Sequence, residues 1–341
     1  MSDIAPKASP LPDGRCLIGR ACGPGGDPSP SAWHGMAGDN RIDREQPMKR
    51  KHPFAAYVAL SPTWLAVILV YIGTMVWSVR LSFTDSRLFP SSNYVGFAQY
   101  EKLFSSSKWL TALQNLVIFG VLYVVGCLVL GFLLAAALDR KVRFENAFRT
   151  IFLYPYAMSF IVTGLVWQWL ANPIFGLQAS VNALGWESFR FDWLTSREMA
   201  IYAVVVAGVW QGAGLVMVLA LAGMRGVDGE QWRAARIDGI PVWRVYVSIV
   251  LPQLGPVLAA AGTLLTMGVI KTYDLVVALT NGGPGSATEV PAKFIMDNLF
   301  QRQNLGLATA AATSLLLMVV IIVAPFRYAQ TISARRKAGT L

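Results

Sequence analysis

Six apolar stretches dominate this 341-residue chain, and each is near the roughly 20 residues that a helix needs to cross a bilayer core. They run from about Ala55 to Val79, Leu116 to Leu138, Ile151 to Leu170, Met199 to Met224, Leu251 to Leu279 and Leu305 to Phe326. Lipid offers backbone amides and carbonyls no partner, so each stretch must satisfy its own groups, and a helix does so within one segment. The chain is therefore read as all-α, a polytopic membrane protein of six transmembrane helices. Pro62 and Pro256 sit near the ends of their predicted helices, where a missing amide matters least. Composition agrees. The chain is 55% hydrophobic and 14% charged, where an ordinary soluble domain carries about 25% charged residues. Its mean hydropathy is +0.48.

The net charge of +10 raises the question of nucleic acid, and the placement of the basic residues answers it. Lys49, Arg50 and Lys51 precede the first stretch. Arg140, Lys141, Arg143 and Arg149 follow the second. Arg225, Arg233, Arg236 and Arg244 follow the fourth, and Arg327, Arg335, Arg336 and Lys337 follow the sixth. The remaining connections are sparser. Basic loops stay on the cytoplasmic side of a membrane, so both termini are predicted to be cytoplasmic, and no nucleic-acid partner is needed for most of the charge.

Residues 1–50 are rich in Pro, Gly, Ser, Asp and Arg and have no apolar period. They are read as a disordered cytoplasmic tail. They lack the apolar core of a signal peptide. Met48 opens MKRKHPFAAYVALSP, a basic start running directly into a span, and is read as an alternative start. The six-helix domain is assigned to 51–328, and a second cytoplasmic tail to 329–341. Cys16, Cys22 and Cys127 form no disulfide framework, and with His34 and His52 they give no metal-ligand spacing. The chain also lacks a glycine-rich loop ending in Lys-Ser or Lys-Thr, so it has no nucleotide site of its own.

One polar connection is unusual. EQWRAARIDGIPVWRVYVSIVLP, residues 230–252, is longer and more amphipathic than a connector requires. A helix is expected over Glu230 to Ile237, with Trp232, Ala234, Ala235 and Ile237 sharing a broad face. Asp238-Gly239 should end it, because glycine tolerates a left-handed C-terminal cap. Pro241 then suits the first turn of a second helix, Val242 to Ile249. Two readings stand: a cytoplasmic docking knob, or a helix lying on headgroups with its arginines on lipid phosphate.

Polar groups within spans are costly and usually face a cavity or a partner. MGVIKTYDLVV in the fifth stretch holds Lys271, Thr272, Tyr273 and Asp274. Lys271 and Asp274 are three apart, so they can pair on one helix face. The pair is either structural, near the outer interface, or part of a path for a polar solute. Trp167-Gln168 and Trp210-Gln211 join an aromatic face to a hydrogen-bonding group, as sugar binding requires. Each Trp also suits interfacial anchoring or helix packing. Asn281-Gly282-Gly283-Pro284-Gly285 is read as a tight turn on the external face.

The pattern of Ala234-Ala235, Asp238-Gly239, Ile249 and Leu251-Pro252 resembles the EAA motif of ABC-importer permeases. Further stretches look like sugar-importer permeases: RLSFTDS at 80–86, FRTIFLYPYA at 148–157, WQWLANPIFG at 167–176, LTNGGPGSATE at 279–289 and GLATAAA at 306–312. Together they cover nearly everything from Lys51 onward. The resemblance implies an ABC type I importer transmembrane fold in a bacterial inner membrane. It also implies coupling helices at 228–248 that engage a separate ATPase through Glu230, Arg233, Ala234, Ala235, Asp238 and Gly239. ATP and magnesium would belong to that ATPase, and no cofactor to this chain. The implied partners are a second homologous permease, two ATPase subunits, membrane lipid and an external sugar-binding protein docking at Gly282, Gly283 and Pro284. Within this resemblance Gln211 and Lys271 are favoured near the substrate. The end of the chain is most similar to glucose, mannose or α-glucoside permeases. The alternatives are another solute such as glycerol phosphate, or a secondary transporter. One departure matters: the family usually has Glu immediately before the alanine pair, and Arg233 stands there. Either the ATPase carries a compensating acid, or Glu230, one turn earlier, takes the role.

Overall fold

The computed structural model describes residues 53–140 and 143–338. The expected tail at 1–50 and the alternative start at Met48 lie outside the described residues. The chain divides into two units, Met1–Trp64 and Leu65–Leu341. In chain order, α1 (Pro53–Val67) continues through a π-helical turn (Ile68–Ile72) into α2 (Gly73–Leu81). Then follow α3 (Ala98–Phe104), α4 (Ser107–Asp139), α5 (Glu145–Ala157), α6 (Phe160–Leu170), α7 (Leu177–Ala183), α8 (Ala200–Arg225) and α9 (Gly229–Ile237). Next come α10 (Val242–Val245), a π turn (Tyr246–Val250), α11 (Leu251–Gln253), α12 (Gly255–Ile270), α13 (Tyr273–Leu279) and α14 (Pro291–Met296). A last π turn (Asp297–Gln301) leads to α15 (Leu305–Ala338). The described residues contain no strand beyond an isolated bridge between Thr84 and Tyr94.

Three helical segments are long and apolar enough to cross a membrane: Leu60–Leu81, Ser107–Asp139 and Ala200–Arg225. The third and fifth expected spans are not straight helices. α5 and α6 meet at an angle of 102°, and Val242–Gln253 meets α12 at 73°. The causes are local. Ser159 is extended and caps α6, its hydroxyl accepting from the Val162 amide at 3.3 Å. Gly255 and Pro256 open α12, where proline's missing amide is one of the unpaired ones anyway. The fifth stretch breaks again at Lys271, which caps α12 before α13 begins. Pro62 lies inside α1, not near an end. α15 is apolar over Leu305–Ile321 and stays helical to Ala338, beyond the expected end at Phe326.

The centre of the larger unit is the seam of α4 and α8. Every third or fourth residue of α4 is buried, from Asn115 and Phe119 through Tyr123, Cys127, Gly131 and Ala135 to Leu138. Val117, Val121, Val125 and Leu133 on the other face are exposed. That split separates a packing face from an apolar face free for lipid or a partner helix. Small residues let the backbones approach, as they do where helices associate in lipid. A Cβ on Gly131 would sit 2.5 Å from Val216 Cβ. One on Gly212 would sit 2.7 Å from the Tyr123 hydroxyl and 2.8 Å from Cys127 Sγ.

Two of the quoted sequence stretches meet in space. The Gly306 amide donates to the Ser86 carbonyl at 2.7 Å. A Cβ there would come within 2.5 Å of the Thr84 carbonyl oxygen. Thr84 in turn bonds Ser86 through its hydroxyl at 2.6 Å, and Gln99 Nε2 donates to the Thr84 carbonyl at 3.2 Å. RLSFTDS and GLATAAA therefore form a single joint between the end of α2 and the start of α15.

Candidate functional site: a two-helix knob, a broken helix and an open cleft

The 228–248 segment folds as two short helices with a sharp bend. Asp228 caps α9, its carboxylate accepting from the Glu230 amide at 3.0 Å. The other end is a Schellman turn. The Ile240 amide reaches back to the Ala235 carbonyl at 3.0 Å, and the Gly239 amide to Arg236 at 3.3 Å. Gly239 itself is left-handed at φ 68°. Pro241 is the extended residue before α10, not a residue of its first turn, and helical structure continues to Gln253, beyond the expected Ile249.

The expected common face of α9 is split. Trp232 and Ala235 point inward, and Ala235 is 4% exposed. Ala234 is exposed, and Ile237 is 85% exposed. Adjacent helical residues differ by about 100°, so the two alanines cannot share a face. The outward face is Glu230, Arg233, Ala234 and Ile237, at helical spacing. The inward face joins a core of Ala135, Leu138, Met217, Ala220, Leu221 and Met224 from the ends of α4 and α8. The Trp232 and Tyr246 rings meet edge to face with centroids 5.3 Å apart. Tyr246 donates its hydroxyl to Asp139 Oδ2 at 2.9 Å, and Gln253 Nε2 donates to Gln231 Oε1 at 2.6 Å. Arg225 pairs with Glu145 at the same end, tying the foot of α8 to the start of α5. The knob is thus rigidly attached to the helices behind it, with an apolar tip left uncovered.

Among the path candidates, the Trp167 and Trp210 rings lie edge to face at 6.0 Å. Gln211 is only 4% exposed and faces no open surface. Its Nε2 donates to the Met158 carbonyl at 2.8 Å, inside the break between α5 and α6, and its Oε1 has no partner. Lys271 and Asp274 are both exposed, and among the described residues no ion pair joins them. The expected pairing on one helix face fails because the helix stops at Lys271. Tyr273 is half-buried beside them. Thr272 is buried, its hydroxyl bonded to the Val269 carbonyl.

Gln168 lines a different place, an open cleft of about 490 Å³. Asn172, Thr195, Thr280 and Asn281 line it too, and Gly283 and Pro284 form part of its wall. The glycine turn is braced from behind. Thr280 and Thr288 bond through their hydroxyls at 2.7 Å, and Thr288 donates to the Gly283 carbonyl at 3.0 Å. Asn115 Nδ2 donates to the carbonyls of Ala287 and Glu289, both at 2.9 Å. Glu289 and Lys293 are buried, and Lys293 Nζ lies 2.5 Å from Asp297 Oδ2. Burial pushes the Glu289 carboxyl above the ordinary carboxylate range, against the opposing pull of Lys293. Gly282, at φ 85°, leaves no room for a side chain: a Cβ would sit 2.9 Å from both Glu289 Oε2 and Lys293 Cε. Sequence reasoning missed Asn115, Glu289 and Lys293. A signal was present for two of them, charged residues four apart beside an apolar run.

The family described as binding-protein-dependent transport system inner membrane component matches residues 127–338. This chain belongs to that family. A probable ABC transporter permease protein of Pyrococcus horikoshii is 38% identical over 82% of this chain and 97% of its own length. The xylose/arabinose import permease protein XacH of Haloferax volcanii is 33% identical over 80% of this chain and 88% of its own. Among solved structures, a bacterial ABC transporter involved in the import of the acidic polysaccharide alginate superposes with a TM-score of 0.70. That match has 20% identity and covers 82% of this chain and 95% of the other, so it bears on the fold. The chain is an ABC-importer permease, a transport subunit and not a catalyst.

Proposed function

We propose that this permease imports a neutral carbohydrate across a bacterial inner membrane, crossing it six times with both termini in the cytoplasm. It forms half of the pathway beside a second homologous permease. Two ATPase subunits bind ATP and magnesium, and an external binding protein delivers the sugar. The observation that carries this reading is the two-sided α9. Its outer face, Glu230, Arg233, Ala234 and Ile237, is open, while Ala235 and Trp232 are fixed into the core of α4 and α8. A rigid-body pull on the outer face therefore moves the path-forming helices instead of bending a loop. Asp238 and Gly239 set the angle of the knob. Arg233 faces outward, so it meets the ATPase surface, and Glu230 on the same face supplies the acid.

The outer cleft supports the choice of solute. Gln168, Asn172, Thr195, Thr280 and Asn281 offer neutral donors and acceptors, as sugar hydroxyls require. An anionic solute such as glycerol phosphate would call for convergent basic groups. Trp167, Trp210, Lys271, Tyr273 and Asp274 continue the path, and Gln211 holds its broken helix. Gly282, Gly283 and Pro284 meet the binding protein at the rim of the cleft. Among the relatives, XacH is named for xylose and arabinose, while UgpA of Agrobacterium fabrum, 33% identical, is named for sn-glycerol-3-phosphate.

The test is purification of a tagged full-length chain from its native membrane in mild detergent, with mass spectrometry of what accompanies it. An ATPase and a second permease are expected, followed by ATP-dependent uptake of a neutral sugar by the reconstituted complex. Uptake of solute by the chain alone without ATP overturns the reading in favour of a secondary transporter. Uptake of glycerol phosphate but no sugar overturns the solute.

A further inference from the structure

Two clefts meet at the Arg140 end of α4. The first, about 480 Å³, is mostly apolar and is lined by Phe132, Leu133, Ala136, Trp243 and Val247 among others. It opens on the face of α4 that carries the exposed Val121, Val125 and Leu133, the face turned away from the α8 seam. The second, about 300 Å³, is more polar and includes Asp139, Trp232 and Arg236. Arg140 and Tyr246 line both clefts. The basic groups here have few competing acids. Asp139, which accepts the Tyr246 hydroxyl at 2.9 Å, is the one carboxylate lining either cleft, and Glu145 is paired with Arg225. Among the described residues Arg140 forms no ion pair. Arg244 lies over the Trp243 ring, 5.6 Å from its centroid.

We propose that this junction is a binding site for one anionic phospholipid. The lipid phosphate sits at Arg140, with Arg236 and Arg244 adding positive charge, and an acyl chain lies along Phe132, Leu133 and Val247. The apolar groove selects a lipid over free phosphate, which would leave that groove empty. Arg140 and Arg236 outnumber the one carboxylate lining the clefts, Asp139, and with Arg244 nearby this excess of positive charge selects an anionic headgroup over a zwitterionic one, which brings its own cation. Basic pockets between helices at the membrane surface recognise anionic headgroups in this way. The site joins α4 to α10, so an occupant ties the coupling knob to its supporting helix. The proposal rests on reading this end of the helices as a membrane–water boundary.

The full-length chain is placed in nanodiscs of phosphatidylcholine doped with brominated phosphatidylglycerol or, at matched fraction, brominated phosphatidylcholine. Bromine quenches nearby tryptophan emission, and subtraction of a Trp243→Phe variant isolates Trp243. The expected result is stronger quenching of Trp243 by the brominated anionic lipid. Arg140→Gln should reduce that preference about fivefold, the weight of one basic residue at an anionic surface, and Arg140→Lys should largely restore it. Unchanged quenching of the other tryptophans shows that each variant is folded. Equal quenching by both lipids means an unselective boundary lipid and overturns the proposal. Absence of Trp243 quenching means protein covers the groove and overturns it too. Relief of the anionic preference by inorganic phosphate assigns the site to free phosphate. Nanodiscs expose both leaflets and contain no ATPase, so these outcomes stand apart from those of the copurification experiment.

Discussion

Gln211 donates its side-chain amide to the Met158 carbonyl, 2.8 Å away, and so bridges the middle of α8 to the gap between α5 and α6. The bond has a clear physical cause. A helix broken inside a membrane frees carbonyls that lipid cannot satisfy, and a neighbouring side chain must take them. Gln211→Ala is expected to lower thermal stability in detergent by about 1–3 kcal/mol, the cost of an orphaned buried carbonyl. Uptake should fall through loss of folded protein, with little change in KM. A large KM increase at unchanged stability would show that Gln211 touches the solute directly.

Ile237 is the most exposed large apolar side chain of α9, so its removal should cost the isolated chain nothing. Full burial of such a side chain against a partner contributes about 1.5–3 kcal/mol. Ile237→Asp should therefore weaken ATPase association at least tenfold in a pull-down titration, with the melting temperature unmoved. Arg233→Glu, which restores the usual family acid, should alter association by less than threefold. Loss of all assembly in that variant would instead reveal an essential reciprocal pair on the ATPase.

Gly239 has a left-handed backbone, and a Cβ there would meet nothing within 4 Å. The cost of Gly239→Ala is then conformational alone, about 1–2 kcal/mol. Asn tolerates this region better, so Gly239→Asn should be milder. Chemical denaturation of the purified chain measures both. Equal, negligible effects would mean that the Schellman turn is not held in solution.

The sequence speaks clearly where a segment depends on its own residues. α4 and α8 are unbroken helices: α4 contains the expected Leu116 to Leu138, and α8 begins one residue after the expected Met199. Asp228 and Gly239 bracket α9 with local capping chemistry. The breaks were harder to read, because hydropathy continues through Met158 and through Lys271 while the backbone does not. The Lys271–Asp274 pairing failed for that reason. The α9 face failed because two adjacent alanines were assigned one direction. Asn115 could not be read at all, since its carbonyl partners lie 172 and 174 residues away.

Glu289 gives the loop between α13 and α14 a pH dependence. Its folded-state carboxyl is raised by burial, so the native chain holds a proton that the unfolded chain has already released. Stability from this group is therefore present below the ordinary carboxylate value of about 4.3 and is lost as pH rises through the raised folded value. Lys293, Lys108 and Arg302 oppose the shift, and Asp297 reinforces it. Glu289→Gln should abolish this slope and leave the variant more stable than wild type at neutral pH. Its neutral side chain still fits behind Gly282, and the Asn115 bond to the residue 289 carbonyl is untouched. Thermal unfolding from pH 4 to 8 reads both effects, with Lys293→Met as the converse, since removing the cation should steepen the loss. A variant that keeps the wild-type slope would place the proton on another group.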